Sequence, residues 1–354
     1  MLKQLMVRDF RCFDRVQVEL DPEMTAFVGR NGQGKTSLLE AACVLLRLQS
    51  PRTSSREEWI RFGQTAAVAE GRWESVDLRV AVSAKARRLA VDGAVCGRAA
   101  EYLERSGVVV WMDHADMNLL RGGGEHRRRF LDFAACQVSA DYLPALRAYE
   151  RALRGRNHVL KRDAVISWKQ ADAFGRVMAE HARVLTARRA ELCESLRLPV
   201  AAFHQEVSGG TEEVALRFMG GCDGDDLNEE LLAWREEEAR LRATVRGPHR
   251  DDLELTLRGQ DARAFASEGQ QRTMTLAMKL AQAQVLFERR GQAPLLLVDD
   301  VFGELDADRR RAFLNCLPKG TQKILTTTRL DWAEGSAPKG LTYEVCAGTV
   351  TRQT

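Results

Sequence analysis

The first third of the chain alternates between apolar and polar positions in several short runs. QLMVRDF, DRVQVEL and MTAFVG open it, and this period of two predicts three strands. GKTSLLEAACVLLRL then spaces its apolar residues three and four apart, which predicts a helix. Alternation returns over residues 66 to 95, where Asp92-Gly93 predicts a hairpin turn, and GVVVWM predicts a buried strand.

From about Asp113 the pattern becomes helical. AVISWKQADAFGRVMAEHARVLTARRAELCESLRL predicts a helix of about 35 residues, roughly 50 Å long. EEVALRFM predicts a strand and LNEELLAWREEEARLRATV another helix. The last third again mixes types: a helix in SEGQQRTMTLAMKLAQAQVLFERR, a strand in PLLLVDD, a helix in DADRRRAFLNCL and a strand in QKILTTT. We therefore expect an α/β domain split over residues 1–112 and 245–354, with a mostly helical lobe, 113–244, inserted into it.

Charge is unevenly distributed along the chain. The net charge is only +3, but the segment from Arg121 to Ala190 holds 15 Lys/Arg and 7 Asp/Glu, a balance of +8, so the remainder sums to −5. Such asymmetry indicates an anionic partner for the basic segment. A long solvated helix rich in arginine has the same composition, and the charge run alone does not decide between the two.

The cysteines and the apolar runs exclude some classes of protein. No two of the eight cysteines form a CxxC pair, which argues against a zinc site. The start, MLKQLMVRDFRCF, lacks the apolar run of a signal peptide, and no stretch of 18 apolar residues is present. We expect a reduced, cytoplasmic protein.

A glycine-rich loop lies between the third predicted strand and the first helix. Gly29, Gly34, Lys35 and Thr36 fit the P-loop pattern G-x-x-x-x-G-K-[ST] in its required strand-loop-helix context. Backbone N–H groups and the helix N-terminus would form an anion cradle, with Lys35 on the β- and γ-phosphates and the Thr36 hydroxyl on Mg²⁺. The predicted nucleotide contacts of the loop are Gly29, Arg30, Asn31, Gly32, Gln33, Gly34, Lys35, Thr36 and Ser37. The alternative is a glycine turn before a helix.

A second pair of candidates ends the buried strand PLLLV. Asp299 and Asp300 follow it directly. The first carboxylate is predicted to hold Mg²⁺ together with Thr36, which is the Walker B role, and the second to orient and deprotonate the attacking water. Lys35 and Asp300 are thus the predicted catalytic residues. An ordinary strand that ends in a polar turn is the alternative.

The segment ASEGQQRTMTLAMKLAQAQ resembles the signature of ABC ATPases, SGGQ at the start of a helix. Ser267, Gly269 and Gln270 can present a hydroxyl and N–H groups to a phosphate, so they are predicted nucleotide contacts. A plain N-cap serine is the alternative. GELD, which follows Asp300, resembles the D-loop of the same ATPases, and threonines stand where transporters carry a switch histidine.

The motifs together resemble the RecF family of SMC-like ABC ATPases. The similarity runs through VRDFRCF, GRNGQGKTSLLEA, RGGGEHRRRFLD, GPHRDDLEL, SEGQQRTMTLAMKLA and LLLVDDVFGELD. The resemblance implies an ABC-type P-loop ATPase head with an inserted helical lobe and ATP and Mg²⁺ as cofactors. It also implies a head-to-tail homodimer that forms with ATP, with Ser267 and Gly269 of one copy capping the nucleotide of the other.

The same resemblance implies recombinational DNA repair and replication-fork maintenance. Duplex DNA near single-strand gaps would be the substrate, RecR a partner, and RecA loading the process assisted. Slow, DNA-stimulated ATP hydrolysis would release the clamp. The predicted DNA contacts are basic residues of the inserted lobe: Arg127, Arg128, Arg129, Arg154, Arg156, Lys161 and Arg162.

Several positions depart from the family pattern or keep two interpretations. Ser37 replaces an asparagine, and WMDHADMNLL has no glutamine where ABC proteins carry the Q-loop. Arg11 is a predicted nucleotide contact, although a surface role on an edge strand is equally open. His249 and Arg250 of GPHRDD either pack the returning lobe or act near nucleotide or DNA.

Two other functions compete with this interpretation. An ATPase subunit of a membrane transporter would need a Q-loop glutamine and a switch histidine, and the sequence has neither at those places. A nucleotide-dependent scaffold with negligible hydrolysis is compatible with the missing histidine. ATP turnover with and without duplex DNA distinguishes the scaffold from the switch.

Overall fold

The computed structural model describes residues 1–162, 164–210, 212–222, 224, 226–329 and 340–353. The strands are β1 Leu2–Phe10, β2 Phe13–Glu19, β3 Met24–Val28, β4 Ala66–Trp73, β5 Val76–Ser83, β6 Arg87–Val91, β7 Ala94–Cys96, β8 Val109–Met112, β9 Val214–Met219, β10 Asp252–Leu257, β11 Gln260–Asp261, β12 Leu295–Asp299, β13 Lys323–Thr327, β14 Leu341–Cys346 and β15 Thr349–Arg352. The helices are α1 Lys35–Arg47, α2 Ala99–Arg105, α3 Asn118–Arg121, α4 Gly124–Val138, α5 Tyr142–Arg162, α6 Trp168–Ser208, α7 Leu227–Ala233, α8 Arg235–Leu241, α9 Ala262–Phe265, α10 Glu268–Arg290 and α11 Ala307–Cys316. The predicted α/β class is confirmed.

The chain divides into two compact units. The first comprises Met1–Asp116 and Gln282–Thr354, and the second comprises Met117–Ala281. These units have other boundaries than those expected from the sequence. The largest difference is at the end of the inserted lobe, which was expected at residue 244 and lies at Ala281. The difference arises because β10 pairs along its length with β9 and α4 packs against β10, so this segment belongs with the helical lobe. Where one functional domain ends and the next begins stays a prediction.

The first unit encloses α1 between two sheets. One sheet has the order β2-β1-β4-β5-β6-β7, and the other has the order β15-β14-β3-β13-β12-β8. In the second sheet β14, β3, β13, β12 and β8 run parallel, which explains the continuous apolar run of β12, since a strand covered on both faces needs no polar side. Helix α1 contacts both sheets, and all of its residues except Thr36 are buried.

The parallel sheet places the functional loops at one edge. The carboxyl end of β3 leads into the glycine-rich loop, and the carboxyl end of β12 carries Asp299 and Asp300. Ligands of open α/β sheets bind outside the carboxyl ends of the strands. The fold of the first unit therefore brings the predicted P-loop and the predicted Walker B carboxylates together.

The second unit is built on a hairpin of two long helices. α5 and α6 pack antiparallel, with Leu160 and Ala171 in the core near the connection and Arg188 bonded to Asp141 at the far end. α6 has 41 residues and continues through Pro199, whereas the sequence pattern ended it at Leu198. Burial of the turns beyond Pro199 offsets the hydrogen bond that the proline removes.

Other local predictions have mixed outcomes. The three N-terminal strands are confirmed, and so is the turn at Asp92-Gly93, where both residues have positive φ and Val91 pairs with Ala94. The single helix predicted over residues 227–245 is wrong, because it is broken at Trp234 into α7 and α8. The hairpin of β14 and β15 was not predicted. Among the described residues, none of the helices is long and apolar enough to cross a membrane.

Candidate nucleotide site and nucleic-acid surface

The glycine-rich loop requires glycine at two of its positions. Gly34 is the N-cap of α1 with φ 105°, and a Cβ there would lie 2.5 Å from the Cys12 sulfur. At Gly29 an added Cβ would lie 2.3 Å from the carbonyl oxygen of Val345 in β14. No side chain caps α1. The Ser37 N–H donates to the Gly34 carbonyl oxygen (2.9 Å), and the N–H groups of Lys35 and Thr36, which have no partner within the helix, can meet an anion. This geometry fits a phosphate cradle.

Lys35 lies against the backbone of the same loop. Its Nζ donates hydrogen bonds to the carbonyl oxygens of Gly29 (2.6 Å) and Arg30 (3.0 Å). Burial lowers the pKa of Lys35, and this effect outweighs the opposite influence of Asp300 and Asp299. A desolvated ammonium held at the mouth of an anion cradle attracts phosphate more strongly than a solvated one.

Asp299 is held by two hydroxyl groups. Its Oδ1 accepts hydrogen bonds from Thr36 Oγ1 (2.8 Å) and from Thr326 Oγ1 (2.7 Å). The structure thus brings together the two residues that the sequence predicted for Mg²⁺. A hydroxyl and a carboxylate oxygen side by side are hard ligands that suit Mg²⁺, which takes few protein ligands and completes its octahedron with water and phosphate oxygens.

Asp300 occupies a strained position at the end of β12. Its φ is 56°, in the left-handed region, and its N–H donates to the Thr326 carbonyl oxygen (3.2 Å). Burial raises the pKa of its carboxyl group, while Lys35 and His114 oppose the rise. A carboxylate whose pKa is raised accepts a proton more readily than an ordinary aspartate, as a general base must. Strained backbone is typical of functional positions.

The remaining loop residues divide by exposure. Arg30, Asn31 and Gly32 are exposed, while Ser37 is buried. Gln33 is held by its side-chain oxygen, which accepts from the Ala347 N–H (2.6 Å) in the turn between β14 and β15. The C-terminal hairpin therefore supports the loop that the sequence analysis identified.

Arg11 is bound to the helix that follows the loop. Its guanidinium makes two hydrogen bonds to the fully buried Glu40 of α1, at 2.8 Å and 2.7 Å, and Arg52 reaches the same carboxylate at 3.1 Å. Arg11 also has positive φ (54°). The structure places it against α1, and a contact with nucleotide stays a prediction.

The signature residues form a reciprocal cap at the start of α10. The Ser267 N–H donates to Gln270 Oε1 (2.7 Å), and the Gln270 N–H donates to Ser267 Oγ (3.3 Å). Ser267 is exposed, and Gly269 and Gln270 are half-buried. The hydroxyl oxygen of Ser267 therefore acts as an N-cap, as the alternative interpretation of this serine expected. The hydroxyl hydrogen can still be donated to a ligand.

The predicted DNA contacts separate into buried and exposed groups. Arg156 is fully buried and makes a bidentate pair with Glu238, and Arg127 is 7% exposed and paired with Asp252. Both guanidinium groups are thus engaged inside the lobe, where a phosphate does not reach them. Arg128 is half-buried and donates to the Asp251 carbonyl oxygen (2.7 Å). The exposed members are Arg129, Arg154, Lys161 and Arg162.

One face of α5 is a basic stripe. Its exposed basic residues at spacings of four and three are Arg147, Arg151, Arg154, His158 and Lys161, and one exposed acid, Glu150, lies among them, 3.9 Å from Arg154. Positions with these spacings lie on the same side of a helix. We call this set the α5 basic face. This face presents part of the excess positive charge of the segment from Arg121 to Ala190. It is about 20 Å long, at a rise of 1.5 Å per residue.

The GPHRDD segment packs the second unit together. His249 Nδ1 lies 2.7 Å from Tyr149 Oη, and its Nε2 lies 2.9 Å from the Thr244 carbonyl oxygen. Asp251 pairs with the buried Arg189 of α6 at 2.8 Å. The structure therefore supports the packing interpretation of His249, whereas Arg250 is exposed.

Sequence reasoning missed two residues near the Walker B carboxylates. Thr326 lies opposite Asp299 in the β12–β13 ladder, and His114 follows β8, which pairs with β12 on the other side. Thr326 belongs to no motif and reaches the site through strand pairing, whereas His114 lies in WMDHADMNLL, at the Q-loop position where a glutamine was expected. The signal available in the sequence was a polar residue at the end of an apolar strand, which many strands share.

The profile of the family described as RecF/RecN/SMC N terminal domain matches residues 1–342. A Lactobacillus johnsonii protein named DNA replication and repair protein RecF is 32% identical over 99% of this chain and 98% of its own length. A protein of the same name from Symbiobacterium thermophilum is 34% identical over 93% and 92%. The chain belongs to the RecF family.

Solved structures agree with the RecF assignment over the whole chain. A structure described as the recombination mediator protein RecF-ATPrS in the RecFOR pathway has a TM-score of 0.87 and 25% identity, and covers 100% of this chain and 98% of that one. RecF-ATP of the same pathway has a TM-score of 0.85. The Smc head domain of Pyrococcus furiosus, at 17% identity and a TM-score of 0.55, shares the fold. The predicted ABC-type ATPase head is thereby confirmed.

Proposed function

We propose that this RecF-family chain is an ATP-dependent DNA clamp in recombinational repair and replication-fork maintenance. ATP and Mg²⁺ bind at the P-loop, two copies associate head to tail on duplex DNA near a single-strand gap, and slow hydrolysis releases them. The contact of Thr36 with Asp299, beside Lys35 at the mouth of the loop, carries the proposal. The similar structures described as RecF-ATPrS and RecF-ATP support it.

The site residues have distinct roles in this scheme. Lys35 and the N–H groups of the loop bind the phosphates, and Thr36 and Asp299 would hold Mg²⁺, which neutralises phosphate charge when bound. Asp300 accepts the proton of the attacking water. Ser267 and Gly269 of the second copy cap the γ-phosphate, so that the ligand binds only the dimer tightly and stabilises it by mass action.

The inserted lobe is proposed to hold DNA by its backbone. The α5 basic face presents positive charge without any side-chain arrangement that reads bases, which suits binding that does not depend on sequence. RecR is the proposed partner, and loading of RecA the step assisted, since the similar structures are described within the RecFOR pathway.

Steady-state ATP turnover tests the enzymatic part of the proposal. We expect slow hydrolysis that rises with duplex DNA and falls by on the order of a hundredfold or more in Asp300→Asn, with ATP binding retained. Lys35→Met provides the contrast, because it should lose ATP binding itself. Unchanged turnover in Asp300→Asn would move the general base to another residue.

A scaffold without significant hydrolysis is the second candidate function. The observation in its favour is that Thr327 and Thr328 stand at the end of β13, where a switch histidine acts in transporters. In that case ATP would still drive association, but the wild-type protein would show no turnover with or without duplex DNA.

A further inference from the structure

The Gln270 side chain connects the signature to a carboxylate elsewhere in the second unit. Its amide oxygen accepts from the Ser267 N–H, and its Nε2 donates to Glu212 Oε1 at 2.7 Å. Glu212 lies 58 residues upstream, between α6 and β9, and its side chain is only 16% exposed.

Glu212 accepts from three directions. Arg258 Nη2 donates to its Oε1 at 3.1 Å, and His204 Nε2 lies 3.3 Å from its Oε2. The hydrogen bond from Gln270 contributes most to lowering the pKa of Glu212, and His204 and Arg258 lower the pKa further. The Glu212 side chain therefore remains a carboxylate. It is held in place by the end of α6 and by the turn after β10.

A carboxylate fixes which way the Gln270 amide faces. An ionised Glu212 only accepts, and the Ser267 N–H only donates, so the NH₂ group must face Glu212 and the oxygen must face Ser267. The reverse orientation would bring two acceptors together at one end and two donors at the other. Glu212 thus determines the geometry of the Ser267–Gln270 cap.

The cap in turn sets what Ser267 can offer to a ligand. Its oxygen is occupied by the Gln270 N–H at 3.3 Å, and the single hydroxyl hydrogen remains for an outside acceptor. At the start of α10, where Glu268 is exposed and Gly269 half-buried, the backbone N–H groups of these two residues and the positive end of the helix dipole add to it, while the Gln270 N–H is held by Ser267. A phosphate oxygen matches this set of donors.

We propose that Glu212 is the positioning residue of the signature motif. It holds the Gln270 amide, and through it Ser267, in the orientation that receives the γ-phosphate of a nucleotide carried by a second copy of the chain. The proposal rests on the head-to-tail dimer of the proposed function. It assigns a role to a residue outside all the motifs of the sequence.

Hydrogen exchange of the protein without nucleotide tests the positioning directly. In Glu212→Ala the Gln270 amide loses its fixed partner, and we expect the amides of residues 267–271 to exchange about fivefold faster, as for loss of a helix cap. Glu213→Ala is the matched control, because the Glu213 side chain is next in sequence but is exposed. Glu212→Gln keeps a carbonyl acceptor and should restore slow exchange.

ATP-dependent association then tests the consequence. Glu212→Ala should raise the dissociation constant of the ATP dimer about tenfold, because the contact of Ser267 with the charged γ-phosphate is misplaced. The ATP affinity of the monomer should be unchanged. Glu212→Gln should recover most of the association. A purely structural role predicts instead that monomer ATP affinity or the melting temperature falls and that Glu212→Gln gives no rescue.

Two outcomes would overturn the proposal. One is wild-type exchange at residues 267–271 in Glu212→Ala. The other is a wild-type dimer in that variant. If the wild-type protein itself stays monomeric with ATP, the proposed clamp fails, and the exchange measurement on the monomer still decides whether Glu212 positions the signature.

Discussion

At the scale of single residues, the site converges on Asp299. Two hydroxyl groups hold one oxygen of this carboxylate, at 2.7 Å and 2.8 Å. Asp299 is a proposed Mg²⁺ ligand, and loss of a partner that orients a metal ligand typically lowers metal affinity by about 10- to 100-fold. Thr326 should therefore influence Mg²⁺ use although it is no part of the P-loop or Walker B motif.

Thr326→Val removes the second hydroxyl and keeps the shape of the side chain. We expect the Mg²⁺ concentration for half-maximal ATP turnover to rise about tenfold, because Asp299 loses its second support. Turnover at saturating Mg²⁺ should be close to that of the wild type. Thr351→Val, on the exposed strand β15, is the control. Equal Mg²⁺ dependence in both variants would contradict the role of Thr326.

Motif spacing predicted that Lys35, Thr36 and Asp299 act together, because a P-loop and a Walker B strand have fixed places in a parallel sheet. It did not predict Thr326 or Glu212. Their contacts depend on strand register and on the course of the chain after a long helix, which one sequence does not reveal. For the same reason Arg127 and Arg156 were predicted to contact DNA, although both are buried and paired with Asp252 and Glu238.

At the scale of elements, the turn that carries His249 connects three parts of the second unit. Burial lowers the pKa of His249 to about 4, and the neutral ring fits its two bonds, one to a carbonyl and one to the Tyr149 hydroxyl. The pKa in the folded state is thus below that in the unfolded state. Stability is present above pH 6.5 and is lost as the pH falls toward 4.

His249 should make the protein less stable in mild acid. From pH 7.5 to pH 5 we expect its contribution to the free energy of unfolding to fall by about 2 kcal/mol, since the unfolded chain binds the proton and the folded one does not. Urea unfolding of His249→Gln should show a weaker pH dependence than the wild type. His158→Gln, at an exposed position of α5, should keep the wild-type dependence.

The α5 basic face should bind phosphates without regard to base sequence. Replacing Arg151, Arg154 and Lys161 by alanine should weaken duplex DNA binding and reduce the slope of log K against log salt by about 2 to 3. Arg98→Ala, exposed in the first unit, is the control. A triple variant with the wild-type salt slope would place the DNA elsewhere.

Element types were predicted better than element ends. The apolar periods identified the strands around the P-loop and the long helix of the inserted lobe, but α6 continues past Pro199, and α7 and α8 replace one helix. Tertiary burial decides such ends, and periodicity along the chain does not record it. The extent of the second unit was also unpredictable, because the pairing of β9 with β10 joins segments 30 or more residues apart.

At the scale of the whole molecule, each ATP site is proposed to be composite. A P-loop from one copy and a signature from another would enclose the nucleotide, so neither half completes the chemistry alone. Lys35→Met disables the first half and Ser267→Arg the second. A mixture of the two variants can assemble one site with both halves intact, from the P-loop of the Ser267→Arg copy and the signature of the Lys35→Met copy.

Sedimentation velocity with ATP and gapped duplex DNA tests this claim most directly. The wild-type protein should form a dimer with ATP, each variant alone should remain monomeric, and the equimolar mixture should recover a dimer with one competent site. A dimer of Ser267→Arg alone, or a mixture that stays monomeric while the wild type dimerises, would contradict the composite site.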